Sequence, residues 1–324
     1  MRFCKAAFVA LVLLLTARTS SSQTNLEKGL QLSEEGRIEE AKAVFELLLK
    51  EDPEYAEAHF QLGKLYLSLE DHDRSIDSFK RAVELNESSS IYHQWLGRAI
   101  GLKAQKGSKL KALFRAKKAK GEFEKAVELD PQNIGARFDL LQYYLQAPGI
   151  AGGSKEKAVE QAKEILEYDT LQGRRAFALI YENSKNYGEA EQRYVEATQL
   201  DSLNTEPYYW LGFFYQRQER YDEAMQVFEQ ILEIDPEEMA ALYQVGRTCI
   251  FAKKNLGKAE ECFQKYLQVK PKPSDPDWAS AHWRLGMVYD LKGERGLAIS
   301  EWEKALELNP DHKQAKEALE KVGR

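Results

Sequence analysis

The sequence predicts an all-α solenoid assembled from repeated helical hairpins. Three observations predict it. Small and aromatic residues return in phase with a period of 34 residues. Between them the apolar positions fall at helical spacing, broken by short polar turns. The composition is 43% hydrophobic and 30% charged, rich in Ala, Leu, Glu and Lys, with only 9 prolines in 324 residues. Length alone would fit two ordinary domains, but a repeat array replaces that division with one modular body. Three cysteines are too few for a disulfide scaffold. The 14 Phe, 16 Tyr and 5 Trp supply ample core. A net charge of −6 disfavours a general polyanion binder, so no nucleic-acid partner is expected.

Residues 1–22 differ in kind from the rest. Arg2 and Lys5 precede the apolar run Ala6–Leu15 and a small, polar stretch, Thr16–Ser22. That order is that of a secretory signal peptide, cut after Ser22, and the apolar run falls short of the ~20 residues that span a bilayer. An uncleaved anchor is the alternative. Loss of Arg2, Lys5 and Arg18 would take the net charge from −6 to −9.

Eight copies of the repeat then follow, beginning near 22, 56, 90, 134, 171, 205, 239 and 279. The first carries Gly29, Ala41 and Phe45 and ends at Pro53; the second carries Gly63, Ser75 and Phe79, with Glu87 where Pro is expected. The third has Gly97, Phe123 and Pro131, and about ten extra residues between its helices, in 101–121. In the fourth the turn is about five residues longer, Ala147–Ser154, and Thr170 replaces Pro. The fifth shows Ala190 and Tyr194, with Ser202 at its end. The sixth is the clearest: Tyr208, Leu211, Gly212, Tyr215, Ala224, Phe228, Ile231, Pro236. The seventh keeps Gly246 and Phe263, ends at Pro271, and is followed by the linker Lys272–Pro276. The eighth reads Leu285, Gly286, Tyr289, Ala298, Trp302, Ala305, Pro310. Residues 311–322 form a last amphipathic helix with Ala315, Ala318, Leu319 and Val322 inward, as a capping helix requires. Small columns allow helices to approach closely, aromatic columns fill the space between them, and prolines stop second helices.

These residues resemble the tetratricopeptide repeat, with its W-x₂-L-G-x₂-Y, A-x₃-F and P pattern, over about nine-tenths of the chain. The resemblance implies a right-handed superhelical solenoid of about eight repeats. Its first helices would line a concave groove that binds protein or peptide segments. The inward columns of those helices are Phe60 and Lys64, Gln94 and Arg98, Phe138 and Gln142, Arg175 and Leu179, Tyr209 and Phe213, Tyr243 and Arg247, and Trp283 and Met287. Aromatics interleaved with Arg suit an extended ligand with apolar side chains and a carboxylate, with the Tyr209–Met287 stretch as the main surface. Tyr209 and Tyr243 have packing against neighbouring repeats as a second reading. The Lys, Asn and Arg set of the chaperone-tail-binding members is missing, so their function is not carried over.

No enzyme is expected, and no cofactor, metal or small-molecule substrate. Gly149–Lys155 lacks the Gly-Lys-Ser/Thr of a phosphate loop and reads as a turn. His59, His93 and His282 share a column that packs between helices, and His72 and His312 lie in polar turns. Cys249 and Cys262 sit on the two helices of the seventh repeat, equidistant from its turn, either bridged or buried as free thiols. The largest local anomaly is basic: Lys103, Lys106, Lys109, Lys111, Arg115, Lys117, Lys118 and Lys120, with no acid among them. With Leu110, Leu113 and Phe114 they make either a basic amphipathic helix that docks on an anionic membrane or acidic partner, or a lengthened, solvated second helix. The function expected is an exported, non-catalytic scaffold or adaptor, periplasmic or secreted. A peripheral membrane adaptor is the alternative.

Overall fold

A computed structural model describes residues 23–105 and 108–323, without the side chain of Lys109. The signal-peptide reading and Lys106 lie outside the described residues. The chain is all-α, with no strand among the described residues. None of the described helices is long and apolar enough to cross a membrane.

Contacts divide the chain into two compact units, the first ending at Ala176 and the second starting at Phe177. The first unit holds α1 (23–34), α2 (Ile38–Glu51), α3 (Ala56–Ser68), α4 (His72–Leu85), α5 (Ser90–Ala104), α6 (Lys109–Leu129), α7 (Ile134–Gln146) and α8 (Lys155–Tyr168). The division falls within α9 (Thr170–Asn183). The second unit continues with α10 (Tyr187–Leu200), α11 (Glu206–Arg217), α12 (Tyr221–Ile234), α13 (Met239–Ala252), α14 (Leu256–Tyr266), α15 (Trp278–Lys292), α16 (Arg295–Leu308) and α17 (Lys313–Gly323). α3 packs on α4, α5 on α6 and α7 on α8 in the first unit, and α11 on α12, α13 on α14 and α15 on α16 in the second.

The hairpins close on a small-to-large pairing. A methyl group added at Gly63 would stand 2.6 Å from the ring of Phe79, and one at Gly212 2.6 Å from Phe228. Both rings are fully buried. Glycine is therefore required for the close approach of the two helices, which the ring then fills. Ala41, Ala190, Ala224 and Ala298 are likewise fully buried.

The junctions between hairpins are made by a column that the proline pattern hides. Asp52, Asp130, Asp169, Asp201 and Asp235 and Asn86 and Asn309 each follow the last helical residue. Their backbones leave the helical region, and the side chains of Asp52, Asp130, Asp201, Asp235 and Asn309 accept the amide two residues on. An Asx turn thus reverses the chain whether or not proline follows. That explains why Ser202 can stand in place of proline. At Thr170 the Asp169 side chain instead accepts the Gln172 amide three residues on, and at Glu87 the Asn86 side chain accepts the Ser88 hydroxyl while its backbone carbonyl accepts the Ser89 amide. Pro271 does not stop its helix: α14 ends at Tyr266, whose hydroxyl donates to the Pro276 carbonyl.

The third-repeat insertion is not a loop. It prolongs α5 to Ala104 and makes α6 21 residues long. The lengthened fourth-repeat turn contains a 3₁₀ turn, Gly149–Ala151, closed by Gly152 at φ 92°. At Gly153 a methyl group would lie 1.8 Å from the Ala147 carbonyl oxygen, so only glycine fits.

Cys249 and Cys262 are free, buried thiols rather than a bridge. Cys249 packs with Phe263, Tyr266 and Trp302, its sulfur 3.6 Å from that of Met225, while Cys262 packs with Phe228, Ile231 and Val245. Burial raises both thiols, Cys262 to about 12, which suits inert packing.

Candidate functional site

The expected groove residues fall into three classes. Phe60, Phe138 and Tyr243 are buried and offer no free surface. Phe60 lies 4.8 Å from Tyr92, Phe138 beneath the Arg175 guanidinium at 5.1 Å, and Tyr243 5.4 Å from Phe263 and 5.3 Å from Tyr266. Their column faces the following helices, so the rings are consumed as core. Tyr209, Phe213, Trp283 and Met287 are half-buried, with a face to solvent, as are Lys64, Arg98, Arg175, Leu179 and Arg247. Gln94 is buried and Gln142 exposed.

The charged members differ in how they are satisfied. In the first unit Arg98 donates to Asp139 at 2.6 Å, and Gln94 donates to the same carboxylate at 2.8 Å. Burial raises the Asp139 carboxyl, and Arg98 opposes the shift. Arg98 therefore already holds a carboxylate of its own chain and is no receptor for a foreign one. Lys64 lies over the rings of Phe60 and Trp95, at 5.8 and 5.6 Å.

One slot recurs here. Lys64, Arg98 and Arg247 stand at equivalent places, each just after its column residue Gly63, Gly97 or Gly246. Trp95, Asp139 and Arg284 stand two before theirs, Gly97, Leu141 and Gly286. The pairs Lys64–Trp95, Arg98–Asp139 and Arg247–Arg284 face one another across successive first helices. What fills the slot changes from ring to carboxylate to a second guanidinium.

The Arg247–Arg284 slot lies wholly in the second unit, on α13 and α15. Arg247 lies 5.0 Å from the Phe251 ring centre and Arg284 5.8 Å; Arg284 also stacks on Trp283 at 4.1 Å. Arg247 donates to Gln244 at 3.2 Å, and Arg284 reaches the Met287 sulfur at 3.6 Å and the Tyr243 hydroxyl. The Nε of each is buried without a hydrogen-bond partner. Among the described residues no carboxylate lies within ion-pairing distance of either. Burial lowers the Arg247 pKa, and Arg284 lowers it further. Two like charges held together by aromatic faces make a seat for an anion. Beside it Tyr209 and Phe213 stack at 6.0 Å, with the Tyr209 hydroxyl donating to Glu238 at 3.2 Å. Trp283 is fixed from below by the His312 ring at 5.6 Å. Arg284 and Phe251 lie outside the inward columns of the repeat, though the offset between Lys64 and Trp95, lengthened by the linker, points to Arg284.

His59, His93 and His312 have structural duties. Nε2 of His59 and of His93 lie 3.0 and 3.1 Å from the carbonyls of Pro53 and Glu87, and Arg137 makes the same contact with Pro131 at 2.6 Å. His312 caps α17 through its Nδ1, which accepts the Ala315 amide at 3.2 Å.

The basic insertion is less uniform than its sequence. Lys103 pairs with Asp73 and Lys120 with Glu124, while Arg115 donates to the Lys103 carbonyl at 3.3 Å. Lys111, Lys117 and Lys118 remain exposed.

Two family models match the chain: the tetratricopeptide repeat over residues 26–90, and the middle TPR-like domain of cilia and flagella-associated protein 70 over 174–309. Over those segments the chain carries tetratricopeptide repeats. Among curated proteins it is similar to superkiller complex protein 3 of Mus musculus, 23% identical over 90% of this chain and 18% of that protein. It is also similar to protein O-mannosyl-transferase TMTC1 of Homo sapiens, 25% identical over 82% of this chain and 25% of that protein. The chain thus spans a quarter or less of the length of these two relatives. Among solved structures, a thermophilic TPR protein of Thermus thermophilus has a TM-score of 0.47 and 19% identity, covering 71% of this chain and 99% of that one.

Proposed function

We propose that the chain is a non-catalytic interaction module whose second unit holds an extended segment of a partner protein, with a carboxylate of that segment between Arg247 and Arg284. Tetratricopeptide repeats mediate protein–protein interaction. The observation that carries the reading is the pair of half-buried guanidiniums with no carboxylate of their own, beside the stacked Tyr209 and Phe213. Each charged hydrogen bond to such a pair is worth about 1.5–3 kcal/mol. The aromatic faces supply apolar contact at low entropic cost. The order of residues 1–22 supports a place outside the cytoplasm, where the chain acts as scaffold or adaptor.

An array of 12-residue peptides varying in acids, aromatics and free C-terminal carboxylate tests this. Wild-type chain should select peptides that combine apolar residues with a carboxylate. The Arg247→Gln, Arg284→Gln double variant should lose at least tenfold in binding to them while unfolding at an unchanged or higher temperature. Selection of peptides without any carboxylate, or equal binding by the variant, would remove the site from the second unit.

A further inference from the structure

Two of the three departures from the repeat period, the third-repeat insertion and the lengthened fourth-repeat turn, meet in one place, wholly within the first unit. The turn Gly149–Ala151 packs against α6, and a methyl group added at Gly152 would lie 3.7 Å from the Lys120 Nζ. Between them, over α5 and α7, opens a groove of about 1030 Å³. Its walls are mainly apolar, with Leu113 and Ala116 on α6, Leu102 on α5 and Tyr143 on α7, and the Arg98–Asp139 pair and Gln142 also line it. Leu110 and Ile150 stand at its rim 78% and 74% exposed. Such side chains at the mouth of an apolar groove mark a surface meant to be covered.

We infer that this groove receives an amphipathic helix of a partner protein, with an apolar stripe in the groove and acidic residues along its flank. Three considerations select that occupant. The groove is lined by side chains of helices, with no strand edge to pair with. An extended segment would leave its amides unpaired among apolar walls, whereas a helix satisfies its own backbone. The part of α6 that borders the groove, residues 109–119, is ~16 Å long at 1.5 Å per residue, room for about three turns of a partner helix. The charge decides the flank. Lys111, Lys117 and Lys118 are exposed on α6 around Phe114, which is itself 75% exposed, and residues 101–121 contain no acid. The chain's own apolar run Ala6–Leu15 is flanked by Arg2, Lys5 and Arg18 and carries the wrong sign to sit there. A flat bilayer would meet Leu110, Phe114 and Ile150 but leave Leu113 and Ala116 uncovered in the groove.

Two synthetic 18-residue helical peptides test this on the full chain by fluorescence anisotropy. Both carry the same Leu stripe at i, i+3, i+4 and i+7; one has Glu at the flanking positions and the other Lys. The Glu peptide should bind at least tenfold more tightly. Leu110→Glu with Ile150→Glu, both at exposed positions, should abolish that binding without changing the unfolding temperature. Lys111→Glu with Lys118→Glu should invert the preference, a readout that a fold defect would not produce. Equal binding of the two peptides, or binding of neither, overturns the inference. Co-sedimentation with vesicles of equal phosphatidylglycerol and phosphatidylcholine, lost in the Lys111→Glu, Lys118→Glu variant while the Glu peptide fails to bind, would also overturn it and assign the patch to a membrane surface.

Discussion

Phe228→Ala should lower the unfolding free energy of the second unit by about 3–5 kcal/mol, as large-to-small changes at well-packed aromatic sites do. The ring is fully buried, and its position is set from one side by Gly212, which leaves room for nothing larger than hydrogen. Phe213 lies 5.5 Å from it and Tyr209 6.1 Å, so the same ring floors part of the candidate ligand surface. Urea denaturation followed by circular dichroism checks the value, with Leu308→Ala at a half-exposed position as a control expected within about 0.5 kcal/mol of wild type. A Phe228→Ala loss below about 1 kcal/mol would mean that the glycine–aromatic pairing does not organise the hairpin.

Asp139→Ala is the second large effect, a loss of about 2–3 kcal/mol in the first unit. The carboxylate accepts from both Arg98 and Gln94, and its removal leaves a guanidinium and an amide without their acceptor. Breaking a fully buried pair costs about 3–5 kcal/mol; here the Arg98 side chain is 34% exposed and water recovers part of that. Asp139→Asn keeps one acceptor oxygen and should recover part of the loss. The same measurement bears on function, because Asp139→Ala leaves Arg98 in the condition of Arg247. An unchanged stability would show that the ion pair is idle, and the contrast between the two slots would lose its meaning.

The contrast explains what could be read from the sequence. Columns such as Gly63, Phe79, Gly212 and Phe228 are legible because burial leaves few residue types that fit, and the period places them. The junctions are carried by Asp52, Asp130 and Asp201 through Asx turns, and a search for proline passes over them because Asp is common on exposed faces. Groove residues are harder to read, since one column holds both Tyr243, buried under the next hairpin, and Tyr209, open on one side. Only the size of the neighbouring side chains separates them. Arg98 reads as a ligand site until Asp139 is placed opposite it. Arg284 sits one residue after Trp283, outside the columns read as inward. The meeting of residues 101–121 with 147–154 is a property of the stack, since neither insertion alone encodes an apolar groove.

A double-mutant cycle between chain and ligand tests the central claim most directly. The best-binding peptide from the array is compared with its Glu→Gln or Asp→Asn form, each against wild type and the Arg247→Gln, Arg284→Gln variant. If the carboxylate sits between the two arginines, amidation weakens binding to wild type at least tenfold and leaves binding to the variant unchanged. If amidation weakens both equally, the carboxylate lies elsewhere and the arginine pair is not the seat.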